Sequence, residues 1–198
     1  MTTGEVDRNA VAMAVGQPLG DQVLDGEAQL RPIAVPGIEE TAVWRVRDES
    51  GPHPWQVYVG VWPDGSVRVL TADQEAWADL VSVIGAQLDD EADAFAYVEA
   101  YLEVTRGAQV IVQPVSSLDE LRWRPGSEAE EAARATLLAD PPDLAPEATR
   151  TAGDFHVELA LVVDQRLQRN TFDVTRHGEI AGSSFRVLAD HLPLPIAR

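Results

Sequence analysis

The sequence predicts an α+β protein built from two three-stranded antiparallel meanders and about three helices. Three features lead there. Residues 42–70 and 155–189 alternate apolar with polar side chains between turn signals, which is the period of half-buried strands. Residues 73–106 and 127–139 place apolar residues three and four apart, which is the period of helices. Strands and helices come in runs instead of alternating singly, which argues against a doubly wound parallel sheet.

Residues 1–35 carry Gly4, Gly16, Pro18, Gly20, Gly26 and Pro32 among few large apolar groups and read as an amino-terminal arm, with a weak helix signal at Asp7–Val15. The first meander follows, with strands at Ala42–Arg47, Trp55–Trp62 and Val67–Leu70. Pro63-Asp64-Gly65-Ser66 forms the turn between the last two. Asp73 caps a helix whose apolar stripe is Ala76, Trp77, Leu80, Val81, Ile84 and Leu88.

A second helix over Asp90–Arg106 has two stripes, Phe95/Val98/Leu102 and Tyr97/Tyr101/Val104, with Gly107 placed to stop it. Gln109–Gln113 reads as a strand ended by Pro114. Ser127-x-x-Glu130 is a capping box opening a third helix over 127–139. Pro141, Pro142 and Pro146 make 140–146 a break. The second meander runs Phe155–Asp164, Arg169–Thr175 and Ile180–Ala189, with turns at Gln165–Leu167 and His177–Glu179.

These elements divide the chain into an arm (1–35), a first α+β subdomain (36–125) and a second (126–198), or form one domain built of both meanders and the helices. Residues 64–73 and 182–190 share the string Ser-x-(x)-Arg-Val-Leu ending in Ala-Asp, which either converging amphipathic strands or an internal duplication would produce.

The chain has 198 residues, 33 Asp+Glu against 15 Lys+Arg, and a formal charge of −18. Every one of the basic residues is Arg. With no cysteine, disulfides, thiolate catalysis, Cys-ligated zinc and iron–sulfur clusters are excluded; with no lysine, so are Schiff bases and the P-loop lysine. His-Glu-x-x-His, Gly-x-Ser-x-Gly and Gly-x-Gly-x-x-Gly strings do not occur. No apolar run approaches the roughly 20 residues of a membrane span, and residues 1–8 lack the basic and apolar regions of a secretory signal, so a cytoplasmic location is expected.

Acids are concentrated: Asp73, Glu75, Asp79, Asp89, Asp90, Glu91, Asp93, Glu99 and Glu103 lie between residues 71 and 105 without one base. Such a surface repels nucleic acid and anionic lipid and draws in cationic segments, although acidic helical faces also serve solubility alone.

Residues 41–105, three strands then two helices, resemble in order of elements the small winged-helix modules that clasp leader peptides of ribosomally made peptide products. Leu70–Trp77 is similar to that family's strand-to-helix junction. The second half resembles the helix-plus-meander of cystatin-type folds. Both resemblances imply a binding scaffold.

The expected function is therefore a non-enzymatic acidic accessory protein that engages a basic peptide or protein, by strand addition at a meander edge. Roles of this kind include precursor-peptide binding, a chaperone and an immunity protein. Trp55, Tyr58 and Trp62 would anchor the partner; Asp89, Asp90, Glu91 and Asp93 would attract it. No cofactor, metal, nucleic acid or membrane is called for, and a homodimer through the arm or a sheet edge is the expected self-association. The alternative is a small metal-dependent or acid/base enzyme using Asp154, His156 and Glu158, alternate residues on one strand face, with Asp173 from the next strand. Against it, those positions are also where a half-buried strand shows its wet side.

Overall fold

A computed structural model describes residues 6–38, 41–50, 53–107 and 112–195. The fold is α+β, with the sheets larger and the helices more numerous than the sequence predicts: one sheet of four strands, one of five, and five α-helices among the described residues.

The arm accounts for much of the difference. Its segments are α1 (Arg8–Val15), α2 (Leu19–Leu24) and β1 (Gln29–Ile33). Asp7 caps α1 by accepting from the Asn9 N–H, and the Arg8 guanidinium donates to the Val23 carbonyl at 2.9 Å, tying the two short helices together. Gly20 is obligatory at their contact, because a Cβ there would sit 2.5 Å from the Ala12 carbonyl oxygen. Strand β1 pairs antiparallel with β2 (Val43–Asp48), which continues through β3 (Trp55–Val61) to β4 (Val67–Val69). The arm thus closes the free edge of the expected first meander in its own chain.

Helix α3 (Gln74–Ile84) starts at the Asp73 cap and stops at Gly85, whose φ of 72° ends it before Leu88. Helix α4 (Glu91–Thr105) follows from its Asp90 cap. Strand β5 is Val112–Val115 and runs through Pro114, which an edge strand tolerates; Gln109–Ile111 of the expected strand lie outside the described residues. The capping box is present on α5 (Glu128–Ala139).

The second sheet has order β5-β7-β8-β9, with β6 (Glu147–Thr151) also on β7. Strand β7 is Asp154–Val163, β8 Arg166–Val174 and β9 Ile180–Ala189. The β7–β8 turn is at Asp164–Gln165, tighter than expected, with Asp164 at φ 56°. Ala152 and Gly153, both at positive φ, make the unpredicted β6–β7 hairpin turn. The two similar strings fall on β4 and β9, the last strand of each meander.

The layers stack in order: α1–α2, first sheet, α3–α4, second sheet, then α5 with the carboxyl-terminal segment. Trp44, Val46 and Val59 face α1–α2. Val43, Tyr58 and Leu70 from the first sheet and Phe155, Val157 and Leu159 from the second meet Trp77, Tyr97 and Val98 in one continuous core. Residues on either side of the expected 125/126 boundary therefore pack on one another. Ala160, Val162 and Leu167 meet Leu137 and Leu192 on the far side. Helix α4 lies between two sheets, which is why it carries two apolar stripes and not one. No described helix is long and apolar enough to cross a membrane.

Candidate functional site

The helix layer does not cover the whole inner face of the second sheet. Helix α4 packs on β6 and β7, whereas α3 packs on β3 of the opposite sheet. Strand β9, ten residues long, pairs only with β8 among the described residues and leaves its other edge free. Between α3 and the start of β9 runs a cleft of about 760 Å³. Its helical wall sets small side chains, Ala78 and Ser82, among Gln74, Trp77, Asp79 and Val81, with Gly85 beyond them, and its sheet wall runs from His177 to Ser183. A second cleft of about 340 Å³ continues it along the inner face, reaching Phe185.

Phe185 and Val187, paired with Asn170 and Gln168 on the inner face, are 60% and 44% exposed, so the alternation that should bury them has nothing above it. A long edge beside a groove and an uncovered apolar face is the geometry that accepts an extended chain by strand addition.

The groove's width is set by buried contacts. Trp77 Nε1–H donates to the Tyr97 hydroxyl at 3.1 Å, and that hydroxyl donates to the Gly178 carbonyl at 2.6 Å in the β8–β9 turn. Burial pushes the Tyr97 phenol well above its ordinary pKa. Leu88 N–H donates to the Arg176 carbonyl at 2.9 Å. Rings of Trp77, Tyr101 and Phe172 follow one another at centroid distances of 5.9 and 6.2 Å from α3 to β8.

The aromatic residues singled out in the sequence are not brought together. Trp55 faces the α1–α2 layer, and its indole N–H donates to Gln22 Oε1 at 2.5 Å. Tyr58 faces the opposite way, is buried, and donates to Glu103, with its pKa pushed up to about 12, first by burial and then by that carboxylate. Trp62 is half-buried beneath Arg68, whose guanidinium lies 5.1 Å from the ring centroid.

The acidic set is close together, but part of it has structural work at the start of α4. Asp90 accepts from the Asp93 N–H at 2.9 Å, Asp93 from the Asp89 N–H at 3.2 Å, and Asp89 from the Gln87 amide at 3.1 Å; Glu91 is exposed.

Asp154, His156, Glu158 and Asp173 share the outer face of the second sheet. His156 Nδ1 lies 2.8 Å from Asp173, its cross-strand partner, and Nε2 lies 3.4 Å from Glu158. The hydrogen bond to Asp173 raises the His156 pKa; burial opposes it, and the weaker bond to Glu158 adds to the rise. Arg169 Nε donates to Glu158 at 2.9 Å and holds that carboxyl below its usual range, while its other arm donates to the Ala145 carbonyl at 2.7 Å. Asp154 accepts from the Arg176 N–H at 3.2 Å. Both imidazole nitrogens are engaged, and among the described residues no three His, Asp or Glu side chains are grouped to hold a metal ion. The array joins β7 to β8 and pins the 140–146 segment; the same face continues into buried Ala160 and Val162.

Sequence reasoning missed Phe185, Val187, Gln168 and Asn170. Two amides in the alternation Gln168-Asn170-Phe172-Val174 were the available signal, since the other members of that face are core residues.

No protein-family model, curated protein or solved structure matches this chain. The winged-helix and cystatin-type resemblances therefore rest on order of elements alone, and function must be argued from the groove.

Proposed function

We propose that this protein is a non-enzymatic binding module that captures an extended basic segment of another polypeptide by adding it as a strand to β9. The observation that carries this reading is the free edge of the ten-residue β9, whose first residues face α3 across an open cleft, with Phe185 and Val187 uncovered further along it. Main-chain hydrogen bonds to β9 supply affinity, and the small side chains of α3 leave room for the incoming backbone.

Charge selects the partner. A chain of net charge −18, with nine acids and no base over 71–105, attracts cationic segments and repels a second copy of itself. Steering is thus assigned to the helix layer as a whole, with Glu91 of the expected acidic set fully available, and anchoring moves from Trp55, Tyr58 and Trp62 to the β9 groove.

The test is selection of twelve-residue peptides from a random library, followed by hydrogen exchange of the protein with the enriched peptide. Enriched peptides carry net positive charge, bind less tightly as salt is raised, and slow exchange in 180–189 above all other strands. Protection confined to β1 or β4, or affinity indifferent to salt, refutes the reading.

A further inference from the structure

The cleft along the inner face has an unusual wall. Tyr101, Leu102, Phe172 and Phe185 make it apolar and aromatic, yet Gln168 and Asn170 line it from the sheet side. Both amides are more than nine-tenths buried. Their hydrogen bonds are long and local: Gln168 Nε2 donates to Asn170 Oδ1 at 3.3 Å, and Asn170 Nδ2 donates to the Gln168 carbonyl at 3.4 Å. Among the described residues no donor reaches Gln168 Oε1, and that atom is not among those sealed from solvent without a partner. Gln168 Oε1 is thus an acceptor that opens onto the apolar cleft, where the donor of a bound group can reach it.

Resting on the strand-addition reading, we propose that this cleft is the anchor pocket of the groove and takes a tyrosine side chain of the captured segment, its hydroxyl donating to Gln168 Oε1. Shape and chemistry both select it. The walls offer edge-on aromatic contacts to a ring, and a volume of about 340 Å³ accommodates one. The tip must carry a donor, which excludes phenylalanine as the best occupant. It must also be neutral, because no carboxylate lines the pocket and an unpaired lysine or arginine head would be desolvated there. The basic residues of the segment then flank the anchor, over the acidic helices.

The experiment uses the full chain, isotopically labelled, and follows the Gln168 and Asn170 side-chain amide resonances during titration with N-acetyl-tyrosinamide and, separately, N-acetyl-phenylalaninamide. The tyrosine compound is expected to bind about threefold to tenfold more tightly, the range one neutral hydrogen bond contributes, and to move the Gln168 amide most. Gln168→Met, which keeps the shape and removes the acceptor, abolishes the preference while leaving the phenylalanine compound unaffected; Gln168→Glu, which keeps an acceptor, retains it. Equal affinity for the two compounds, or a preference that survives Gln168→Met in a folded protein, overturns the proposal. A selected peptide that protects β9 without a tyrosine preference refutes this inference alone. A tyrosine preference without protection of β9 by any selected peptide refutes the strand-addition reading.

Discussion

Tyr97→Phe is the sharpest probe of how the groove is held. The substitution removes one oxygen and leaves the ring, so no cavity forms and the contact with Trp77, at 5.7 Å between centroids, is kept. What changes is that the Trp77 indole N–H loses its acceptor and the Gly178 carbonyl loses its donor, in a region where Trp77 and Tyr97 are buried to 1% and 0% exposure. Each buried group left unsatisfied costs about 1–3 kcal/mol, so the pair together costs about 2–6 kcal/mol. That is a large part of a typical domain's stability of roughly 5–15 kcal/mol. Urea unfolding followed by tryptophan fluorescence measures it, as a lowered midpoint at unchanged slope. Tyr58→Phe supplies the contrast: its hydroxyl meets exposed Glu103 and half-buried Gln56, which water can reach once it is gone, so its loss costs about 1 kcal/mol. A Tyr97→Phe protein no less stable than Tyr58→Phe would show that the hydroxyl does not fasten the β8–β9 turn to the helix layer.

Further outcomes follow from the same contacts. Gly178→Ala puts a Cβ 2.7 Å from Ala86 Cβ and 2.9 Å from the Tyr97 hydroxyl at a φ of 83°; left-handed strain and overpacking together cost about 2–4 kcal/mol in urea unfolding. Ser127→Ala removes half the capping box and lowers stability by about 1 kcal/mol. His156 titrates above its ordinary value in the folded protein, so its contribution is fully present below about pH 6.5 and fades as pH rises through the folded pKa. The difference between wild type and His156→Gln is accordingly larger at pH 6 than at pH 8.5, and a His156 imidazole titrating at or below its unfolded value by NMR would contradict this. Phe185→Ser, at a 60% exposed position, changes stability by less than about 0.5 kcal/mol while weakening capture of selected peptides.

The sequence was informative where the signal is local. Asp73 and Ser127 each cap a helix through their own side chains, and Gly178 turns the last hairpin, because these contacts close within a few residues. It was uninformative where a partner lies far along the chain. Gln29–Ile33 has little pattern of its own and becomes a strand because β2 offers it an edge. Trp55 looks like a surface aromatic until Gln22, 33 residues earlier, accepts its indole N–H. Glu130 was legible as a capping residue, but not as the acceptor for both Arg124 and Gln165, with its carboxyl held down to about 2, first by the Ser127 N–H. The polar row on β7, with Asp173 beside it, was placed on one face, yet strand periodicity cannot tell that Arg169 would occupy Glu158.

The open groove is itself a consequence of the layering. Because α4 must serve both sheets, it is centred over β6 and β7, and α3, bound to the first sheet, is tied to the β8–β9 turn through the Trp77–Tyr97–Gly178 hydrogen bonds and, beyond its end, through Leu88 and Arg176. Strand β9 is as long as β7 and runs past that point uncovered. An exposed edge of ten residues bearing Phe185 and Val187 is an aggregation hazard that proteins ordinarily blunt with charge, brevity or a covering element. Here the strand is long, Arg186 is the one charged residue on it, and the protection comes from the net charge of the whole chain. That arrangement keeps copies of the protein apart while leaving the edge open to a chain of opposite charge. Neutralising Glu75, Glu91 and Glu99 to Gln should therefore do two things at once: slow capture of basic peptides in stopped-flow mixing and raise self-association in sedimentation. If capture slows without any rise in self-association, the charge steers partners but does not protect the edge.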